Sequence, residues 1–193
     1  MANKIITISR EFGSGGRFIG EEVAKKLGMK YYDKDIISQI AEKLGFSKEY
    51  ISQNAELSPK KGLFAYALTG RDTTGKSVED MVYEAQRKVI LEIAENDSCV
   101  IIGRNADYIL KDRTDVINIF IHADMPEKVK RICRLYNVTE AEALKMTADI
   151  DKRRMTNYRY YTDQKWGMAR NYTLTLNSSQ LGYDMCEKTE DRK

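Results

Sequence analysis

The sequence predicts a three-layer α/β fold, a central parallel sheet with helices on both faces, and three observations carry that prediction. Short, nearly continuous apolar runs rich in β-branched residues recur at 5–8, 99–102 and 116–121, as in strands covered on both faces. Stretches with helical apolar spacing separate them, and such alternation calls for parallel strands joined by helical crossovers. A glycine-rich turn, Gly13-Ser14-Gly15-Gly16, joins the first strand to the first helix.

The elements follow in order. After the strand at 5–8, residues 15–27 carry Ile19, Val23, Ala24 and Leu27 on one helical stripe, with Gly28 as the C-terminal stop. A short extended segment at 29–32 leads into a helix from about Lys34 that ends at Leu44-Gly45. Residues 46–98 form a mostly helical block that interrupts the alternation. Its stretch 58–75 holds Pro59 and three glycines, a composition expected to bend or to move, and the block reads as an insertion over the sheet edge. Strands at 99–102 and 116–121 come next. Two helices then begin near Met125 and Glu140, each announced by capping-box spacing, Asp124 with Glu127 and Thr139 with Glu142. A fourth strand at 172–176 closes the pattern.

The 193 residues fit one domain, and 42% hydrophobic content is enough to bury a core. A net charge of +3 leaves a weak long-range field, so composition does not call for nucleic acid or an anionic membrane. Cys99, Cys133 and Cys186 fit no paired metal spacing and read as reduced thiols of a cytoplasmic protein; no residue set is assigned to a metal. Only five residues separate Lys4 from Arg10, too few for the apolar core of a signal peptide, and no run reaches membrane-span length.

The glycine turn carries the chemistry. A strand followed by such a turn at a helix start aims backbone N–H groups and the positive end of the helix dipole at one spot, where an anion binds. The sequence here resembles the nucleoside monophosphate kinases, specifically the cytidylate kinase-like family, whose members have a similar S-R-x-x-G-S-G-G-x-x-I loop. The likeness continues through Leu27-Gly28, Tyr31-Tyr32-Asp33, Gly103-Arg104 and Asp151-Lys152-Arg153-Arg154 to Tyr172. It implies a P-loop NTPase-type fold, one domain over 1–193, with a helical nucleoside-monophosphate-binding insertion at 46–98 and a lid at 153–170. ATP with Mg2+ is then the implied donor, and CMP or dCMP the implied acceptor.

The loop departs from the Walker A pattern. Aligning Gly13-Ser14-Gly15 with the family's G-S-G puts Gly16 where the phosphate-binding Lys belongs, Arg17 on the magnesium-ligating Ser/Thr, and Arg10 on the first glycine. A Lys and a hydroxyl are lost, and two guanidinium groups are gained. Because Arg grips phosphate bidentately, Arg17 is the expected replacement and Arg10 the second candidate; both join Gly13, Ser14, Gly15 and Gly16 on the donor phosphates. Arg17 in the first helical turn also opposes the dipole, which a bound anion, or Glu11 or Glu21, would offset.

Elsewhere, Asp33 has two open roles, orienting the acceptor phosphate or a magnesium ion through water, and capping the helix at Lys34. Arg104, at a strand end where α/β sheets bind ligands, contacts the monophosphate by resemblance; a surface ion pair with Asp107 is the alternative. Arg154 matches the family's lid arginine and Arg159 is the second lid cation. Arg153 points about 100° away on the helix, and the acids found in the family's lid are missing here. His122 is read as structural, and Trp166 either stacks on a base or packs within the lid.

Together these readings make the chain an ATP-dependent phosphotransferase acting on a nucleoside monophosphate, with no membrane or nucleic-acid partner. Two rivals stand beside it: a nucleotide sensor that binds without turnover, and an RNA patch over 153–170.

Overall fold

The computed structural model describes residues 4–45, 78–183 and 186. Five parallel strands form one sheet in the order β2-β3-β1-β4-β5. They are β1 (Ile5–Arg10), β2 (Lys30–Tyr32), β3 (Cys99–Ile102), β4 (Val116–His122) and β5 (Leu174–Asn177). The helices are α1 (Gly16–Leu27), α2 (Lys34–Leu44), α3 (Val78–Asn96), α4 (Ala106–Ile109), α5 (Met125–Tyr136), α6 (Glu140–Thr162) and α7 (Ser178–Leu181). The sheet has one strand more than the four expected runs: the extended segment at 29–32 pairs with β3 as β2, Tyr32 opposite Ile101.

Strand alternation sorts β1 between two cores. Ile6 and Ile8 pack with Ile19, Val23 and Ala24 of α1, whereas Ile5 packs with α2 and α3 through Ile36, Val89 and Ile90. Helix α1 lies close on its face, since a Cβ on Gly20 would come within 2.7 Å of Ile102 and 2.8 Å of Ile8. Among the described residues of the 46–98 block, α3 is a core helix over one sheet face, with Val82, Ala85, Ile93 and Ala94 also buried. The remainder of that block, 46–77, lies outside the described residues.

Two local expectations change. Thr139 and Glu142 do form a capping box. Asp124 sits at the N-cap of α5 but makes no capping bond, because its carboxylate accepts from Asn177 Nδ2 at 2.9 Å and Gln180 Nε2 at 2.6 Å and so ties α5 to the end of β5. Helix α6 runs unbroken for 23 residues, so the stretch expected as a lid at 153–170 begins inside it, with Arg153 and Arg154 well within the helix and Arg159 in its last turn. No described helix is long and apolar enough to cross a membrane.

Candidate functional site

The site is built at the C-terminal end of β1. Arg10 is two residues beyond Ile8 on the strand, so it shares the α1 face with Ile6 and Ile8 and meets the start of α1. A Cβ on Gly16, the first residue of α1, would lie 2.7 Å from Arg10 Cβ and 3.2 Å from Arg10 Cγ. The stem of Arg10 therefore fills the space that a lysine at position 16 would enter. Gly15 caps α1 with φ 82°, a conformation that favours glycine. The helix has no side-chain cap and no acid in its first turn, so its N-terminal dipole is open to an anion.

A cavity of about 510 Å3 opens over this loop, within the size range of ligand pockets. Arg10, Arg17, Arg131, Arg134 and Arg154 line it, together with the aromatic rings of Phe12, Phe18, Tyr136 and Tyr183. Tyr183 lies over Gly15, where an added Cβ would meet its hydroxyl at 2.5 Å. Its ring carries the Arg131 guanidinium 4.6 Å from the centroid. Arg131 also donates to the Gly13 carbonyl, and burial, then the charge of Arg134, lowers its pKa.

Behind the loop is a second, small gap of about 10 Å3, lined by Arg10, Arg154, Arg104, Asn105, Ser9 and Trp166. Arg10 and Arg154 line both spaces. Arg154 Nη1 donates to the Arg10 carbonyl at 3.1 Å. Arg104 is 4% exposed, and with Asn105 it adopts the left-handed conformation, φ 62° and 55°. Such backbone costs about 1 kcal/mol or more per non-glycine residue and persists where surroundings hold it. Here Gln86 Nε2 of α3 donates to the Arg104 carbonyl at 2.7 Å, and Asn105 bonds Asn157 of α6 at 3.2 Å.

Arg17 lines the cavity and is paired with Asp33: its Nε is 2.7 Å from Asp33 Oδ2, with side chains 54% and 4% exposed. Asp33 occupies the N-cap of α2 without a capping bond, so this carboxylate serves Arg17 and not the helix. It follows β2 as Arg104 follows β3, and the two strands are neighbours. The pair bears on magnesium. The residue at the hydroxyl position of the loop is Arg17, and the nearby Ser14 hydroxyl is donated to the Glu11 carbonyl at 2.9 Å. Loop-coordinated magnesium does not fit these residues.

Helix α6 is fastened to the loop. Lys128 of α5, 3% exposed, bonds Glu11 Oε2 at 3.0 Å and Asp151 Oδ2 at 2.9 Å, while Asp151 Oδ1 accepts from Phe12 N at 2.7 Å. Burial keeps the Asp151 carboxyl above its ordinary pKa against the pull of Lys128. Farther along α6, Tyr158 donates to Asp107 Oδ2 at 2.7 Å and Tyr161 stacks on Tyr83 of α3 with centroids 3.9 Å apart. Asp107 is therefore buried between β1, α4 and α6, and burial raises its pKa to about 6.

The structure brings together Arg10, Gly13, Gly15, Gly16, Arg17 and Arg154 around one cavity, with Arg104 across the gap. Ser14 is fully buried beneath the loop. Arg159 is exposed on α6 and lines neither space. Trp166 packs edge-on to Phe120 at 5.1 Å, and His122 offers its carbonyl to Ser178 at 3.2 Å. Sequence reasoning missed Arg131 and Arg134. Their three-residue spacing on α5, which puts both on one helix face, was the available signal.

The cytidylate kinase-like family matches residues 5–180. A cytidylate kinase of Archaeoglobus fulgidus is 25% identical over 181 residues, 91% of this chain and 86% of the relative. A crystal structure of an uncharacterized protein from Eubacterium ventriosum superimposes with a TM-score of 0.75 at 25% identity, covering 97% of this chain and 96% of the other. A shikimate kinase from Acinetobacter baumannii, in complex with shikimate, shares the fold with a TM-score of 0.54 at 16% identity, covering 97% and 90% of the two chains.

Proposed function

The chain belongs to the cytidylate kinase-like family, and from that premise we propose that it transfers the γ-phosphoryl group of ATP to a nucleoside monophosphate, CMP or dCMP. The observation that carries the reading is that Arg10 and Arg154 border both the loop cavity and the gap leading to Arg104. A phosphoryl group leaving the loop on the side facing Arg104 has guanidinium groups beside it, which is where charge on the transferring oxygens needs stabilising.

Each residue has a defined task in this reading. The N–H groups at Gly13 to Gly16 cradle the donor phosphates, and the aromatic rim formed by Phe12, Tyr136 and Tyr183 receives the base. Arg10 supplies the charge of the missing lysine, since its stem fills that lysine's space. Arg154 reaches the same point from α6, and Arg159 remains a lid cation only if 153–170 moves as a lid. Arg104 holds the acceptor at the end of β3, and Asp33, at the end of the neighbouring strand, keeps Arg17 in place. The acceptor oxygen is already ionised, so no strong general base is needed.

Steady-state phosphoryl transfer from ATP to CMP tests the assignment. Arg10→Ala should lower kcat by about a hundredfold or more, the scale of removing one key electrostatic donor. Arg17→Ala should lose less than about tenfold, because its partner Asp33 lies outside the loop. The reverse ranking would return the lysine's role to Arg17. Nucleotide binding with no turnover in the wild type would favour a sensor.

A further inference from the structure

A P-loop normally holds magnesium through the hydroxyl that follows its lysine, and an acidic residue nearby completes the arrangement. In this chain both positions are engaged with each other. Arg17 stands at the hydroxyl position, and its Nε is 2.7 Å from Oδ2 of Asp33, the acid beyond β2. The second oxygen, Oδ1, is buried and makes no hydrogen bond among the described residues. A dication bound there would lie across one carboxylate from a guanidinium group, and the two positive charges would repel. Ser14 offers no substitute, since its hydroxyl is fully buried and donated to the Glu11 carbonyl.

The cavity has the opposite bias. Arg10, Arg17, Arg131, Arg134 and Arg154 line it, whereas Glu11, one of its acids, is bonded to Lys128 at 3.0 Å. Guanidinium groups bind phosphate oxygens bidentately and lose part of that attraction when a metal already covers those oxygens. We propose that the Arg17–Asp33 pair stands in place of the loop-bound magnesium ion, and that the phosphate loop consequently binds nucleotide in its metal-free form at least as tightly as the magnesium complex. The proposal rests on the nucleotide-binding reading above and deepens it.

Isothermal titration of the full chain with ADP, once in excess EDTA and once in millimolar magnesium chloride, reads this directly and needs no turnover. The dissociation constant without magnesium should equal or fall below that with magnesium. Arg17→Ser, which returns a hydroxyl and frees Asp33, should reverse the order, so that magnesium tightens ADP binding by about tenfold or more. Wild-type binding that tightens about tenfold or more with magnesium would overturn the proposal while leaving the nucleotide site intact. An Arg17→Ser variant as indifferent to magnesium as the wild type, with an unchanged thermal melt, would overturn the role given to Arg17. Absence of ADP binding under both conditions would overturn the nucleotide reading and this proposal together.

Discussion

Arg10 and Gly16 are one feature divided between two positions. The glycine lacks the side chain that phosphate chemistry wants, and the arginine fills the volume its lysine would have used, 2.7 Å away. A lysine transplant tests that complementarity. Gly16→Lys alone should displace Arg10 and lower kcat/KM for ATP, and Arg10→Ala alone should cost about a hundredfold. The double variant Gly16→Lys with Arg10→Ala should recover much of the loss, a coupling that a double-mutant cycle measures directly. Strict additivity of the two losses would contradict the shared-space account. The loop's three glycines are legible from residue types alone, and its missing lysine from the resemblance to the cytidylate kinase-like family. The direction of Arg10 was not, because β1 reads by apolar content as ending at Ile8; extended two residues, its alternation puts Arg10 with Ile6 and Ile8 on the α1 face. The Arg17–Asp33 contact joins a first helical turn to a strand end, and no local pattern encodes such a pairing.

At the scale of elements, α6 is the piece that turns a sheet with a loop into a closed site. Its capping box at Thr139 was readable, whereas its length was not, since few apolar periodicities mark the charged stretch from Asp149 to Arg154. Its attachment runs through buried polar contacts, which carry no periodic signature: Asp151 to the loop, Asn157 to Asn105, Tyr158 to Asp107. Asp107 makes the last of these testable by pH. Burial lifts its folded-state pKa to about 6, above the ordinary carboxylate value, so the folded state holds its proton more tightly than the unfolded chain does. The sign follows by linkage: the contribution of Asp107 to stability is gained as pH falls from about 7 toward 4 and lost as pH rises through the folded pKa. Asp107→Asn keeps an acceptor for Tyr158 and removes the titration. The stability difference between wild type and variant, from urea unfolding at several pH values, should therefore shift by about 2 kcal/mol in favour of the wild type between pH 7 and pH 4. A difference independent of pH would mean that Asp107 does not titrate across this window in the folded protein.

For the whole molecule, the sheet order brings the ends of β2, β3 and β1 side by side, and with them Asp33, Arg104 and Arg10. Alternating apolar runs and helices were enough to read a parallel sheet with two covered faces. The exception was β2, three residues of mixed polarity whose membership depends on pairing with β3 and not on its own composition. The interruption of the alternation over 46–98 reads as an insertion over the sheet edge, yet Val82, Ala85, Val89 and Ile93 make α3 part of the core. Arg10 and Arg154 then stand between the loop cavity and Arg104, lining both the cavity and the gap. Incubating the protein with γ-labelled ATP and, separately, CMP, dCMP, UMP and AMP, and then resolving the products, tests this account most directly. It predicts label in the diphosphate of the cytidine nucleotides with matching release of ADP; label confined to ATP and inorganic phosphate for every acceptor, although ATP binds, would contradict it.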